Sequence, residues 1–177
     1  MDAEALKAQQ APIKARYKDD PSSALFTLRA EGRIGSESLT CKIETAQGIK
    51  ETGLHEATGG DGLSLCSGDL LLESLVGCAG VTLRAVAAAM GLDVPHGRII
   101  AEGVLDFRGT LGVSKEVPVG FSEIRLKFDL ETDAPAESIA TLIRLTERYC
   151  VVYQTLRQPP RFDVVTSRSP VIAKPSE

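Results

Sequence analysis

The sequence predicts an α+β fold with a mostly antiparallel sheet. Runs with an apolar period of two come in adjacent pairs, as hairpins do, rather than singly between helices. One long segment near the middle of the chain is apolar almost all round. A second helical pattern follows the last pair of strands, so strands and helices are segregated and the order is not that of a doubly wound parallel sheet.

The elements follow in order. Residues 4–18 are polar helix formers apart from Pro12, with a weak apolar face of Leu6, Ile13 and Tyr17. They form an appended arm that the Asp19–Asp20–Pro21 breaker ends. From Ala24 the period becomes two: Ala24, Phe26, Leu28 and Ala30 alternate with Leu25, Thr27, Arg29 and Glu31, and Gly32–Gly35 reads as a turn. The returning strand puts Leu39, Cys41 and Ile43 on one face, and Ile49–Ala57 reads as a third strand after a Gln47–Gly48 turn. Residues 58–68, TGGDGLSLCSG, read as a Gly- and Ser-rich loop. The next segment, DLLLESLVGCAGVTLRAVAAAMG, is a helix without a broad polar face, closed by Gly91 and Pro95.

Ile99, Ala101, Gly103, Leu105 and Phe107 then alternate with polar partners, and so do Ile124, Leu126, Phe128 and Leu130. Residues 111–120 form the loop between these strands. Asp133 and Pro135 open the last helix, whose inner face carries Ile139, Leu142, Ile143 and Thr146 and continues to Tyr149 and Cys150 until Pro159–Pro160. Phe162–Thr166 reads as a closing strand before a polar tail. A single antiparallel sheet covers one side of an all-round apolar helix, so a second copy of the chain is expected on the other side.

Composition narrows the function. Of 177 residues, 43% are hydrophobic and 25% charged, the balance of a globular protein rather than a disordered one. Twenty basic residues against 24 acidic ones give a net charge of −4, which argues against a nucleic-acid partner. The apolar stretch Leu70–Met90 is broken by Glu73 and Arg84, so no membrane span is expected. The first residues lack the apolar core and cleavage site of a secretory signal, which leaves the cytoplasm as the expected location. There the four cysteines, Cys41, Cys66, Cys78 and Cys150, are read as packing groups, metal ligands or reactive thiols rather than as structural disulfides.

Taken singly, most candidates have bland readings. Cys78 lies in the most apolar segment, with Ser74 and Thr82 four residues away on its own face, and taken alone it reads first as a small buried hydrophobe. Cys150 falls on the inner face of the second helix. Cys41 alternates onto the core face of its strand, and Cys66 stands twelve residues before Cys78 as a rival second thiol. His55 and His96 are isolated, and without a CxxC or HxxxH pair a metal site on Cys66 and His55 is set aside. TGGDG lacks the Lys-Ser of a phosphate loop, so no cofactor is expected.

Two motifs add a resemblance. SGDLLLESLVGCAGVTLRAVAAAMGLDV resembles the first cysteine motif of the OsmC/Ohr superfamily, and YCVVYQTL resembles its second, usually Cys-Pro-Val. The resemblance covers roughly residues 23–167, leaving 1–22 as a helical arm and 168–177 as a tail. It implies the OsmC-like fold, with antiparallel sheets wrapped around buried central helices in an intertwined homodimer. It also implies that Cys78 attacks an organic hydroperoxide and that Cys150 resolves the product, in oxidative-stress defence. Arg33 matches the family's activating arginine, and an external dithiol, such as a lipoyl-bearing protein, restores the thiols.

The physics asks for such a cation. Only a thiolate attacks the peroxide, and burial works against ionisation. Cys78 also lies beyond the first turn of its helix, where the dipole gives little help. A guanidinium in Arg33 keeps its charge when partly desolvated. The chain departs from the family at two places. The organic hydroperoxide resistance branch has a Glu where Gly68 stands, with Asp69 one residue on; Asp69 reads either as a group orienting Arg33 or as an ordinary helix N-terminal carboxylate. Val151 replaces the Pro of the second motif. Glu73 faces away from Cys78, and Arg144 and Arg148 read either as positive charge near Cys150 or, more commonly, as surface charges on a helix end. The reading is a homodimeric thiol peroxidase. The rivals are a module that binds a small apolar ligand at the dimer interface, and a redox sensor.

Overall fold

The computed structural model describes residues 3–34, 39–45 and 48–168. The N-terminal arm is helix α1, Ala3–Asp19, with Pro12 accommodated inside it. It has no buried residue, yet it packs along the central helix. Its half-buried positions, Ala3, Leu6, Gln10 and Tyr17, fall on one stripe, which accounts for the weak apolar face. Asp20 then caps a short turn over Pro21–Ala24 by accepting from the Ser22 N–H at 3.0 Å.

The first sheet has the order β1 (Glu31–Ile34), β2 (Cys41–Thr45), β3 (Gly48–Gly53), β4 (Leu65–Cys66). The first two pairings are antiparallel, and β4 runs parallel to β3. Three expectations change here. Residues 25–30 form no strand, because Leu25, Phe26 and Leu28 meet no neighbouring strand and stay 81%, 71% and 92% exposed. Gly32 and Arg33, expected in a turn, lie within β1 opposite Ile43 and Lys42. The third strand ends at Gly53, where a turn over Glu56–Thr58 takes over. The remainder of the expected turns, residues 35–38 and 46–47, lies outside the described residues.

The central helix α2 runs Ser67–Met90, taking in the end of the expected loop. Gly91 stops it with φ 66°, a left-handed conformation that glycine adopts without a Cβ penalty, while the Leu92 N–H donates back to the Ala87 carbonyl at 2.9 Å. The 24 residues of α2 have the length and apolarity of a bilayer-spanning helix, so the interruptions at Glu73 and Arg84 do not exclude a span by themselves. Its packing points to a core helix instead: β5, α4 and α5, defined below, all lie against it.

The second sheet is the antiparallel pair β5 (His96–Leu105) and β6 (Phe121–Glu131). Its period of two is as expected. Ile99 faces Phe128 and Ala101 faces Leu126 on the core side, whereas Arg98 faces Asp129 and Glu102 faces Arg125 on the other. Phe107 leaves the strand. Asp106 caps a four-residue helical turn, α3 (Phe107–Thr110), by accepting from the Arg108 N–H at 3.0 Å. Helix α4, Ala136–Tyr149, buries Leu142 and Thr146 as its pattern requires, and Pro135 rather than Asp133 stands at its cap. The helical run expected to continue to Pro159 breaks at Cys150, and α5 follows over Val151–Arg157.

Two clusters along α2 form the core. At its C-terminal end Leu83 and Ala87 meet Val94 and Leu142, with Phe128, Leu130 and Ile139 around them. Towards its N-terminal half, Leu75 and Ala79 meet Cys150 under Ile99, Ala101 and Ile124. Fully burying a leucine contributes about 1.5–3 kcal/mol, so the stripe Leu75–Ala79–Leu83–Ala87 anchors α2 to both layers. The opposite side of α2 is open, with Val81 75% exposed. Among the described residues Phe162–Thr166 likewise pairs with no strand, and Phe162, Val164 and Val165 are at least 84% exposed. Of the C-terminal tail, only Arg168 is among the described residues.

Candidate active site

Cys78 and Cys150 come together. Cys78 sits half-buried on the face of α2 that turns towards the α4–α5 junction, and Cys150 is 1% exposed in the same apolar cluster. The junction is the local feature that makes this possible. Cys150 takes φ −73° and ψ 110°, extended values that end α4 and cap α5 at one residue. Its own N–H still donates to the Thr146 carbonyl at 2.9 Å, and its carbonyl accepts from the Gln154 N–H at 2.9 Å. The Gln154 side-chain amide also reaches across the break to the Glu147 carbonyl at 2.8 Å, supplying a donor where the helix has run out of its own.

Proline is therefore not needed for the break. Val151 occupies the first position of α5, and its N–H, which proline would lack, is free to face the site. The electrostatics of the pair follow. Burial pushes the Cys78 thiol up, but donors from the Val152 N–H, the Cys150 thiol, the Val151 N–H and the Thr82 hydroxyl together hold it below its ordinary value. Burial likewise pushes Cys150 up, and the neighbouring Cys78 sulfur adds to the rise against the Tyr153 N–H. The arrangement favours one thiolate at Cys78 and a protonated thiol at Cys150.

The remaining candidates stand apart. Arg33 is 73% exposed on β1 and pairs with Glu44 of β2 at 3.1 Å, so its carboxylate partner is Glu44 rather than Asp69, and it is not among the groups that shift Cys78. Asp69 is exposed in the first turn of α2, the ordinary place for a dipole-favoured carboxylate. Gly68 faces an apolar wall: a Cβ there would lie 3.4 Å from Phe121 and 3.5 Å from Leu105 and from the Cys66 sulfur.

Cys66 caps α2 twelve residues before Cys78, which is about 18 Å along the helix and out of disulfide reach within one chain. Cys41 packs against Gly32, where a Cβ would approach its sulfur to 2.8 Å. His55 stacks on Phe107 at 5.0 Å, and its Nδ1 accepts from the Ala57 N–H at 3.0 Å. Among the described residues no three His, Cys, Asp or Glu side chains gather as metal ligands, and all four cysteines are free thiols.

Sequence reasoning missed Val151 and Val152 as donors, because backbone amides leave no trace in residue type. A cavity of about 410 Å³ adjoins the thiol cluster, with Leu75, Ile124, Leu126 and Tyr153 in its wall and Glu147 and Arg157 among its polar groups. Leu75, Ile124, Leu126 and Tyr153 also pack in the cluster around Cys150, so the cavity and the thiols share a wall.

The sequence profile of the OsmC-like protein family matches residues 59–165, a span that includes both cysteines and the junction. The chain belongs to the OsmC-like protein family. A search of curated proteins found no match. Solved structures agree on the fold. An OsmC-like protein from Mycoplasma pneumoniae superposes with a TM-score of 0.61 at 16% identity, covering 76% of this chain and 89% of its own. An organic hydroperoxide resistance protein from Elizabethkingia anophelis gives 0.61 at 14%, covering 76% and 91%. One from Bacillus subtilis gives 0.52 at 19%, covering 76% and 93%. This OsmC-like protein thus shares the fold of these structures, and the matched span contains both Cys78 and Cys150.

Proposed function

We propose that this OsmC-like protein is a thiol-dependent peroxidase for organic hydroperoxides. The observation that carries the reading is the Cys78–Cys150 pair, in which one sulfur is favoured as thiolate and its partner is kept as thiol at a helix break. The Cys78 thiolate attacks the distal peroxide oxygen. A sulfur–oxygen bond forms, the oxygen–oxygen bond breaks, and the alkoxide leaves as an alcohol after taking a proton. Sulfur is oxidised to sulfenic acid and the peroxide is reduced. The Cys150 sulfur then attacks the sulfenic sulfur, forming the disulfide and releasing water, before further oxidation becomes irreversible. A dithiol, of lipoyl type or another class, restores both thiols by exchange.

The apolar surroundings of Cys78 and the adjoining cavity favour an alkyl-bearing peroxide over hydrogen peroxide, because burying the alkyl group is favourable. The working unit in this reading is a homodimer in which the open side of α2 and the exposed apolar runs 25–28 and 162–165 meet a second copy. Arg33 acts as the assisting cation in this reading only on leaving its ion pair with Glu44. Four free thiols suit the cytoplasm. The test is the consumption of cumene hydroperoxide in the presence of a dithiol. Cys78→Ser abolishes it under this reading, and turnover at the parent rate in that variant would sink the proposal.

A further inference from the structure

The hydrogen bonds at the α4–α5 junction are shared out differently from those of a helix. In an unbroken helix the Glu147 carbonyl accepts from the N–H four residues on, that of Val151. Among the described residues Val151 makes no such bond. The carbonyl accepts instead from the Gln154 side-chain amide at 2.8 Å. The bonds on either side keep helical partners: the Cys150 N–H donates to the Thr146 carbonyl and the Gln154 N–H to the Cys150 carbonyl, both at 2.9 Å. Among the described residues Gln154 has the one side chain that bonds across the junction.

The break decides what packs beside Cys78. Successive residues of an α-helix turn by about 100°, so a residue two places on points about 200° away. An unbroken helix could not turn Cys150 and Val152 to the same side. Yet both pack in the cluster that holds Cys78, with Tyr153 beside them. The extended backbone at Cys150 allows this, and it lets α4 and α5 both lie against α2.

We propose that Gln154 is a positioning residue for Cys150: its amide occupies the Glu147 carbonyl, keeps the helix from closing through the junction, and so holds Cys150 in the cluster with Cys78. The inference rests on the reading of Cys78 and Cys150 as a redox pair. Gln154 serves the second step, in which the Cys150 sulfur attacks the oxidised Cys78, and not the first. Without the amide the Glu147 carbonyl lacks its donor, and the Val151 N–H is the replacement that helix geometry offers. The helix then runs on through Cys150, and Cys150 and Val152 no longer share the cluster.

The experiment equilibrates the reduced full chain with a glutathione redox buffer and reads the Cys78–Cys150 disulfide by mass spectrometry. The two thiols pass two electrons to glutathione disulfide, and their protons leave on the two glutathione thiols released. Gln154→Met keeps an unbranched side chain and loses the donor. It lowers the equilibrium constant for the disulfide by about two- to tenfold, the range for one hydrogen bond. Val151→Pro removes the N–H that would close the helix on the Glu147 carbonyl, so the break no longer needs the amide. Adding Gln154→Met to Val151→Pro therefore leaves the constant of Val151→Pro unchanged. An unchanged constant in Gln154→Met alone overturns the proposal. So does an equal loss in the Val151→Pro background, which general damage to the fold would give. If Gln154→Met loses its helical circular dichroism, Gln154→Leu carries the same expectation. Cumene hydroperoxide consumption by the parent protein is measured alongside. Its absence overturns the peroxidase reading, while the glutathione equilibrium decides the role of Gln154.

Discussion

Cys150, the single residue that joins α4 to α5, packs in one apolar cluster with Cys78. The two groups consequently move in opposite directions, Cys78 downward and Cys150 upward. Alkylation resolved by residue should show Cys78 reacting at lower pH than Cys150. The sign extends to stability. Native Cys78 binds its proton more weakly than in the unfolded chain, so its contribution is present above the unfolded pKa and fades as pH falls through the native one. Cys150 binds its proton more tightly, so its contribution is full below the unfolded pKa and is lost as pH rises through the native one. Denaturant melts of Cys78→Ser and Cys150→Ser across pH 6–10, a range set about the ordinary thiol value, should therefore bend in opposite senses relative to the parent.

Val151→Pro separates the helix break from the donor. Cys150 already has the extended backbone that a following proline requires, and the first position of a helix accepts proline readily. The fold and the break should survive. Removing the Val151 N–H takes away one of the groups holding Cys78 down, so its alkylation inflection should rise. An unchanged inflection in a folded variant would show that this amide contributes nothing.

Leu142 of α4 is fully buried against α2, with Leu83, Ala87 and Val94 around it. Leu142→Ala should lower stability by about 2–5 kcal/mol in denaturant unfolding. Val81→Ala, on the open side of α2, should be nearly neutral for the isolated chain and should weaken self-association instead. Sedimentation of the two variants checks the distinction.

Much of the fold was legible because local periodicity and packing agree. The alternation in β5 and β6, the Gly91 stop, and the inner face Ile139–Leu142–Ile143–Thr146 are all set by residues whose burial is decided nearby. The strand read from 24 to 31, of which only Glu31 lies in β1, and the strand read at 162–166 fail for one reason. Alternation marks a segment suited to a sheet, but a strand exists only with a neighbour, and the described residues supply none to either run. At the site, the two cysteines were visible through their motifs, while the break between α4 and α5 was not. It depends on the Cys150 backbone and the Gln154 bridge to Glu147, neither of which has a strong residue signature.

The same logic gives a prediction for the exposed runs. If a second copy supplies the missing neighbours, amides of residues 162–166 should be slow to exchange hydrogen at concentrations that favour the dimer. They should exchange quickly on dilution. Rapid exchange at every concentration would leave these apolar side chains without a partner strand.

The central claim is that Cys78 and Cys150 act as one redox pair. The most direct measurement treats the fully reduced protein with one equivalent of cumene hydroperoxide and maps its thiols by mass spectrometry. The account predicts a rapid, quantitative Cys78–Cys150 disulfide, with Cys41 and Cys66 left reduced. Unreacted thiols, or slow sulfinic acid at Cys78 alone, would contradict it.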